Sequence, residues 1–130
     1  MPYKLSWLVE GRVILNKSWG RHNQEDIPAY DQEMLRYLDA GTAPLVHSIT
    51  DISELESMPS LASLTQFTFT KHPRLGWQVN YGGKAALKVI ANIAAQLFPL
   101  RYRSFSTLEE ALAFLQHVDT TLPVELMKNA

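Results

Sequence analysis

Cysteine is absent from the 130 residues. That excludes disulfides, thiolate metal sites, iron–sulfur clusters and a cysteine nucleophile. A surplus of either charge is missing too: twelve Lys and Arg face thirteen Asp and Glu, for a net −1. A nucleic-acid binder normally carries a basic excess, so that class is excluded. No apolar run reaches the roughly 18 residues that span a bilayer. Met1 to Arg12 holds no stretch of about 7–15 apolar residues of the signal-peptide kind. Internal repeats, low-complexity tracts and long linkers are also lacking. What is present is 46% hydrophobic residues in a length suited to one core. The expectation is a cytoplasmic domain over residues 1–119, with 120–130 as a weakly packed tail.

Turn residues divide the chain into short blocks. Tyr3 to Val9 and Arg12 to Trp19 read as strands, and Glu10-Gly11 between them predicts an antiparallel hairpin. Gln24 to Asp39 reads as a helix. Ile27, Tyr30, Met34, Leu35 and Leu38 fall on one face, Pro28 lies in the first turn, and Gly41 stands where a C-terminal cap is expected. Pro44 to Asp51 reads as a strand and Ile52 to Ser60 as a loop. Leu61 to Lys71 fits a helix, capped by Ser57 or Ser60 and ended at His72-Pro73. Leu75 to Tyr81 alternates as a strand. Lys84 to Phe98 is a helix, Arg101 to Phe105 a strand, and Thr107 opens a last helix to Val118 with Glu109 and Glu110 in its first turn. The order β-β-α-β-α-β-α-β-α requires an α/β fold: a mixed five-stranded sheet, hairpin first and parallel crossovers after, with about four helices.

Candidate sites follow from these placements. Gly82, Gly83 and Lys84 join a strand to a helix, where unpaired N–H groups and the helix dipole favour an anion. The stretch lacks the Walker A and G-x-G-x-x-G patterns, and a tight turn that needs glycine backbone freedom is the alternative. Arg101 and Arg103 alternate onto one strand face and can hold an anion or a partner's carboxylates. Protection of an edge strand and ion pairs to Glu109 and Glu110 is the alternative. In the helix from Lys84, the residues Leu87, Val89, Ile90, Ile93, Leu97 and Phe98 spread over roughly 180°, wider than one core-facing stripe. Such an arc fits a neighbouring subunit, an apolar ligand, or a helix wedged between two others. Polar His47, Ser48, Thr50, Gln78 and Asn80 sit in central strands, so they either line a polar pocket or bond to one another. His47 and Ser48 are adjacent in a strand and point to opposite faces, which breaks any Ser-His-Asp set. His22, His47, His72 and His117 lack metal-ligand spacing, and no cofactor or metal is implied.

The order of elements, with HPRLGW (His72 to Trp77), Gln96-Leu97-Phe98 and TLEEALAFL (Thr107 to Leu115), resembles the STAS superfamily of SpoIIAA-like fold, in particular its bacterial stand-alone members. The resemblance spans roughly Tyr3 to Asp119. It implies a non-enzymatic regulatory domain that binds a protein partner or itself as a homodimer. In the antagonist branch a serine in a D-S-S-G turn before the second helix is phosphorylated to switch partner binding. Ser57 and Ser60 occupy that place here, with D-S-S-G absent and Pro59 in the region of its glycine. The alternative is a small anionic or lipid-like ligand held at the Gly82-Gly83 turn.

Overall fold

A computed structural model describes residues 3–98 and 100–123. Its strands are β1 (Tyr3–Val9), β2 (Val13–Arg21), β3 (Val46–Ser57), β4 (Leu75–Tyr81) and β5 (Tyr102–Phe105). Its helices are α1 (Ile27–Asp39), α2 (Leu61–Leu64), α3 (Ala85–Leu97) and α4 (Leu108–Val118). The strands lie side by side in the order β1-β2-β3-β4-β5, β1–β2 antiparallel and the remaining pairs parallel. This is the expected mixed sheet. Because β2 to β5 advance across it in one direction, connections of one hand put all their helices on one face. α1, the 58–71 segment and α3 take that face, and α4 takes the other.

Each face has its own core. Val13, Ile49 and Val79 pack against Ala111, Leu112 and Leu115 of α4. Leu5, Ile14 and Val46 pack against Met34 and Leu38 of α1, with Phe69 and Leu75 alongside. Burying each such aliphatic contributes about 1.5–3 kcal/mol. The sequence offers Ser106 or Thr107 as the cap of α4, and Thr107 takes the place, its hydroxyl accepting from the N–H of Glu110 at 3.3 Å.

Several boundaries move. Residues 52–57 are strand, not loop, because β2 runs to Arg21 and offers a partner that far: Trp19 pairs with Glu54 and Arg21 with Ser57. The helix expected over Leu61 to Lys71 is one turn, Leu61–Leu64, followed by a 3-10 turn at Phe69–Lys71. The buried carboxylate of Asp31 takes over its backbone bonding, accepting from the N–H groups of Thr68 (2.8 Å) and Phe69 (2.9 Å) and from the Thr68 hydroxyl (2.6 Å). Gly41 does not cap α1 in the left-handed region. Its lack of a side chain lets Val46 approach the α1–β3 corner.

Past α4 the chain stays attached. Leu122 joins the α4-side core, and Asp119 reaches buried His47. The His47 Nδ1 accepts from the Trp77 N–H at 2.9 Å, so its Nε2 carries the proton and donates to Asp119 Oδ2 at 2.8 Å. Gly76 makes room for the ring, since a Cβ there would collide with Nδ1. Partial burial pushes the Asp119 carboxyl up, but hydrogen bonds from Thr121 and His47 outweigh it and hold the pKa at about 2, below the usual 3.8. A depressed carboxyl stabilises the fold fully above its ordinary value and loses that contribution as pH falls through the folded one. Urea midpoints of the wild type should therefore drop between pH 4 and pH 2. Asp119→Asn should flatten that part of the drop, and an unchanged profile would refute the assignment. Residues 124–130 of the tail lie outside the described residues.

Candidate functional site

The sheet register builds a polar patch beneath α1, the 58–71 segment and α3. Asn16 stands opposite Thr50, and Thr50 opposite Asn80. Ser48 stands opposite Gln78, and Gln78 opposite Tyr102. Alternation puts all six side chains on one face. Asn80 donates to the Tyr102 hydroxyl at 3.0 Å, Ser48 donates to Gln78 Oε1 at 2.6 Å, and Asn16 donates to the hydroxyl of Tyr30. Burial pushes the Tyr30 and Tyr102 hydroxyls up, so both stay protonated at neutral pH. Above the patch lies a cavity of about 190 Å³, walled by Tyr30, Phe67, Phe69, Leu64, Ala91 and Ala95 among others. Two of the alternatives weighed from the sequence are both realised. Ser48 and Gln78 bond to each other, while Thr50, Gln78 and Asn80 line the cavity. His47 points to the opposite face, toward α4.

On the other side of α3 the geometry is different. Leu87, Ala91 and Ala95 are buried, whereas Val89, Ile93 and Leu97 are 57%, 42% and 61% exposed. The wide apolar arc is therefore not that of a helix wedged between neighbours: three of its six residues face solvent. Lys84 is exposed and directly precedes the first turn of α3. Met58 packs with Ile52, Leu55 and Leu87, which joins the 57–60 segment to the first turn of α3. Ser57 closes β3, its carbonyl accepting from the His22 N–H at 3.1 Å. Ser60 is exposed and caps α2, its hydroxyl accepting from the Ser63 N–H at 3.2 Å and donating to the Ser63 hydroxyl at 2.9 Å.

The anion candidates lie apart. Gly82 and Gly83 follow β4, with φ of 75° and 84°. Arg101 precedes β5 and donates to the Leu75 carbonyl at 3.2 Å. Arg103 turns to the α4 face, 5.4 Å from the ring centre of Phe114, and no ion pair to Glu109 or Glu110 forms among the described residues. The glycines let the turn lie on β3: a Cβ on Gly83 would sit 2.8 Å from Ile52 Cδ1, and one on Gly82 3.0 Å from Ser53 Cβ. Gly83→Ala should then cost about 2–3 kcal/mol from left-handed backbone and crowding. Lys84→Ala should stay within about 0.5 kcal/mol. Equal denaturant midpoints for Gly83→Ala and wild type would contradict this.

Among the described residues no three His, Cys, Asp or Glu side chains converge as a metal site, and no helix is long and apolar enough to cross a membrane. Asp31 and Asp51 are bonded locally, Asp31 accepting from Thr68 and Phe69 and Asp51 from Ser53. Sequence reasoning missed Asn16, Tyr30, Phe67 and Tyr102. For Asn16 a signal existed, a polar residue two positions from Ser18 and so on the same face of its strand.

No protein-family model and no curated protein matches the chain. Solved structures do. A DUF3478-family protein of SpoIIAA-like fold from Shewanella loihica is 16% identical over 87% of this chain and 91% of its own, with a TM-score of 0.64. The anti-sigma factor antagonist SpoIIAA in its unphosphorylated form is 12% identical over 93% of this chain and 99% of its own, TM-score 0.60. The Bacillus cell fate determinant SpoIIAA in its phosphorylated form is 14% identical over 87% and 98%, TM-score 0.54. The chain has the SpoIIAA-like α/β fold.

Proposed function

We propose that this chain is a non-enzymatic regulatory domain that docks a protein partner on the outer face of α3 and the adjoining 57–60 segment. The Val89–Ile93–Leu97 stripe carries the reading. Single exposed aliphatics are ordinary, but three in register on one helix form the apolar face that protein partners cover in helix-in-groove docking. The partner of matching chemistry presents an apolar ridge that covers Val89, Ile93 and Leu97. Likeness to a protein named for antagonising an anti-sigma factor supports the class. Ser57 and Ser60, in the segment whose Met58 packs on Leu87 of α3, are the residues whose phosphorylation would alter docking. Catalysis has no support in the site: Ser48 is bonded to Gln78, and His47 lies across the sheet from it. A cytoplasmic setting suits such a domain.

The test is affinity capture from lysate of the source cells, followed by titration of the captured protein. Replacing Val89, Ile93 and Leu97 together with serine removes roughly 1 kcal/mol of burial each, so affinity should fall about 100-fold. Ser60→Glu should weaken capture, and Ala113→Ser on α4 should leave it intact. Equal affinity of the triple variant would overturn the reading. A second copy of the chain on the stripe would instead give a dimer mass in light scattering.

A further inference from the structure

The cavity beneath α3 is separate from the docking stripe, and its lining specifies a different kind of guest. Its floor is supplied by Asn16, Thr50, Gln78, Asn80 and Tyr102, all uncharged. Its walls are aromatic and aliphatic, with Phe67 and Phe69 meeting edge to face at 5.2 Å and Tyr30 against both. Small residues Ala91, Ala94 and Ala95 of α3 leave the space open on the helix side. The floor is also incompletely bonded. Among the described residues the Thr50 hydroxyl has no side-chain or backbone partner, and the Gln78 Nε2 group donates only to the Gly76 carbonyl, at 3.5 Å. That is longer than the roughly 2.7–3.2 Å of an ordinary N–H···O hydrogen bond.

We propose that this cavity binds a small neutral ring compound bearing one hydrogen-bonding group such as an amide or hydroxyl. The polar group meets Thr50 and Gln78, and the ring lies among Tyr30, Phe67 and Phe69. Size follows from volume: a cavity of about 150 Å³ takes up benzene, so about 190 Å³ admits a ring with a short substituent. Charge follows from the lining: among the described residues the only ionisable side chains besides the tyrosines are His22 and Asp26, with no Lys or Arg to pair with an anion, and an unpaired ion pays heavily for desolvation. Apolar walls with a few polar groups are the usual make-up of small-molecule sites.

The test uses benzamide as the neutral probe and benzoate as its charged counterpart of the same shape, titrated into ¹⁵N-labelled full chain. Benzamide should shift the amides of Thr50, Gln78, Asn80 and Ala95 saturably, with a Kd on the order of 0.1–1 mM for so small a molecule. Benzoate should bind at least tenfold more weakly. Ala94→Leu, which fills the cavity from α3, should abolish the shifts. Thr50→Val, which keeps the shape and removes the hydroxyl, should weaken binding several-fold, and it serves also if the first variant misfolds. Absence of saturable shifts, shifts confined to other surfaces, or equal binding of benzoate would overturn the assignment. The partner titration is read separately on the α3 stripe, so either result can fail without the other.

Discussion

Asp31→Ala should lower the stability of the domain by about 3–4 kcal/mol, the largest loss expected from any single polar side chain here. The carboxylate is buried and accepts three hydrogen bonds from Thr68 and Phe69. Removing it leaves the buried Phe69 N–H without an acceptor and detaches the 67–71 turn from α1. For a domain of this size that corresponds to a fall in melting temperature of roughly 10–15 °C. Asp31→Asn keeps one acceptor oxygen and should fall between the two. Calorimetry on the three proteins decides it, and an Asp31→Ala transition within about 2 °C of wild type would show that the anchor contributes little.

His47→Ala is expected to cost about 2–4 kcal/mol through a different route. The ring is 1% exposed and ties two elements that are distant in sequence, accepting from Trp77 on β4 and donating to Asp119 after α4. Its loss opens a void beside Gly76 and orphans one backbone N–H. It should also free the 119–122 segment, including buried Leu122. A double-mutant cycle with Asp119→Ala should give a coupling energy near 1 kcal/mol or more. Strict additivity would mean that the His47–Asp119 contact contributes no net stability.

The sequence reveals much of this architecture for identifiable reasons. β4 and α4 carry their own local signals, alternation in Leu75 to Tyr81 and a capped, acidic first turn after Thr107, and both appear with boundaries within a residue or so. Tertiary context decided the places that differ. Ile52 to Ser57 holds four acidic or hydroxyl residues around Ile52 and Leu55, without strict alternation, and looks like loop until a long β2 offers it a ladder. Leu61 to Lys71 has helical periodicity, yet one carboxylate thirty-seven residues upstream of Thr68 fixes the turn instead. The candidate surfaces were half legible. The excess apolar width of α3 announces an uncovered face, but only its packing shows that Val89, Ile93 and Leu97 are the uncovered part. The polar residues of β3 and β4 announce a floor, whereas the walls of the cavity come from Tyr30, Phe67 and Phe69, which local pattern assigns simply to core.

Site-specific photo-crosslinking in living cells tests the docking surface most directly. A benzophenone amino acid placed at Ile93 should give one discrete adduct with a different protein, and the same group at Ala113 on α4 should give none. Adducts of equal yield at both positions, or none at Ile93 while the protein is folded, would contradict the account.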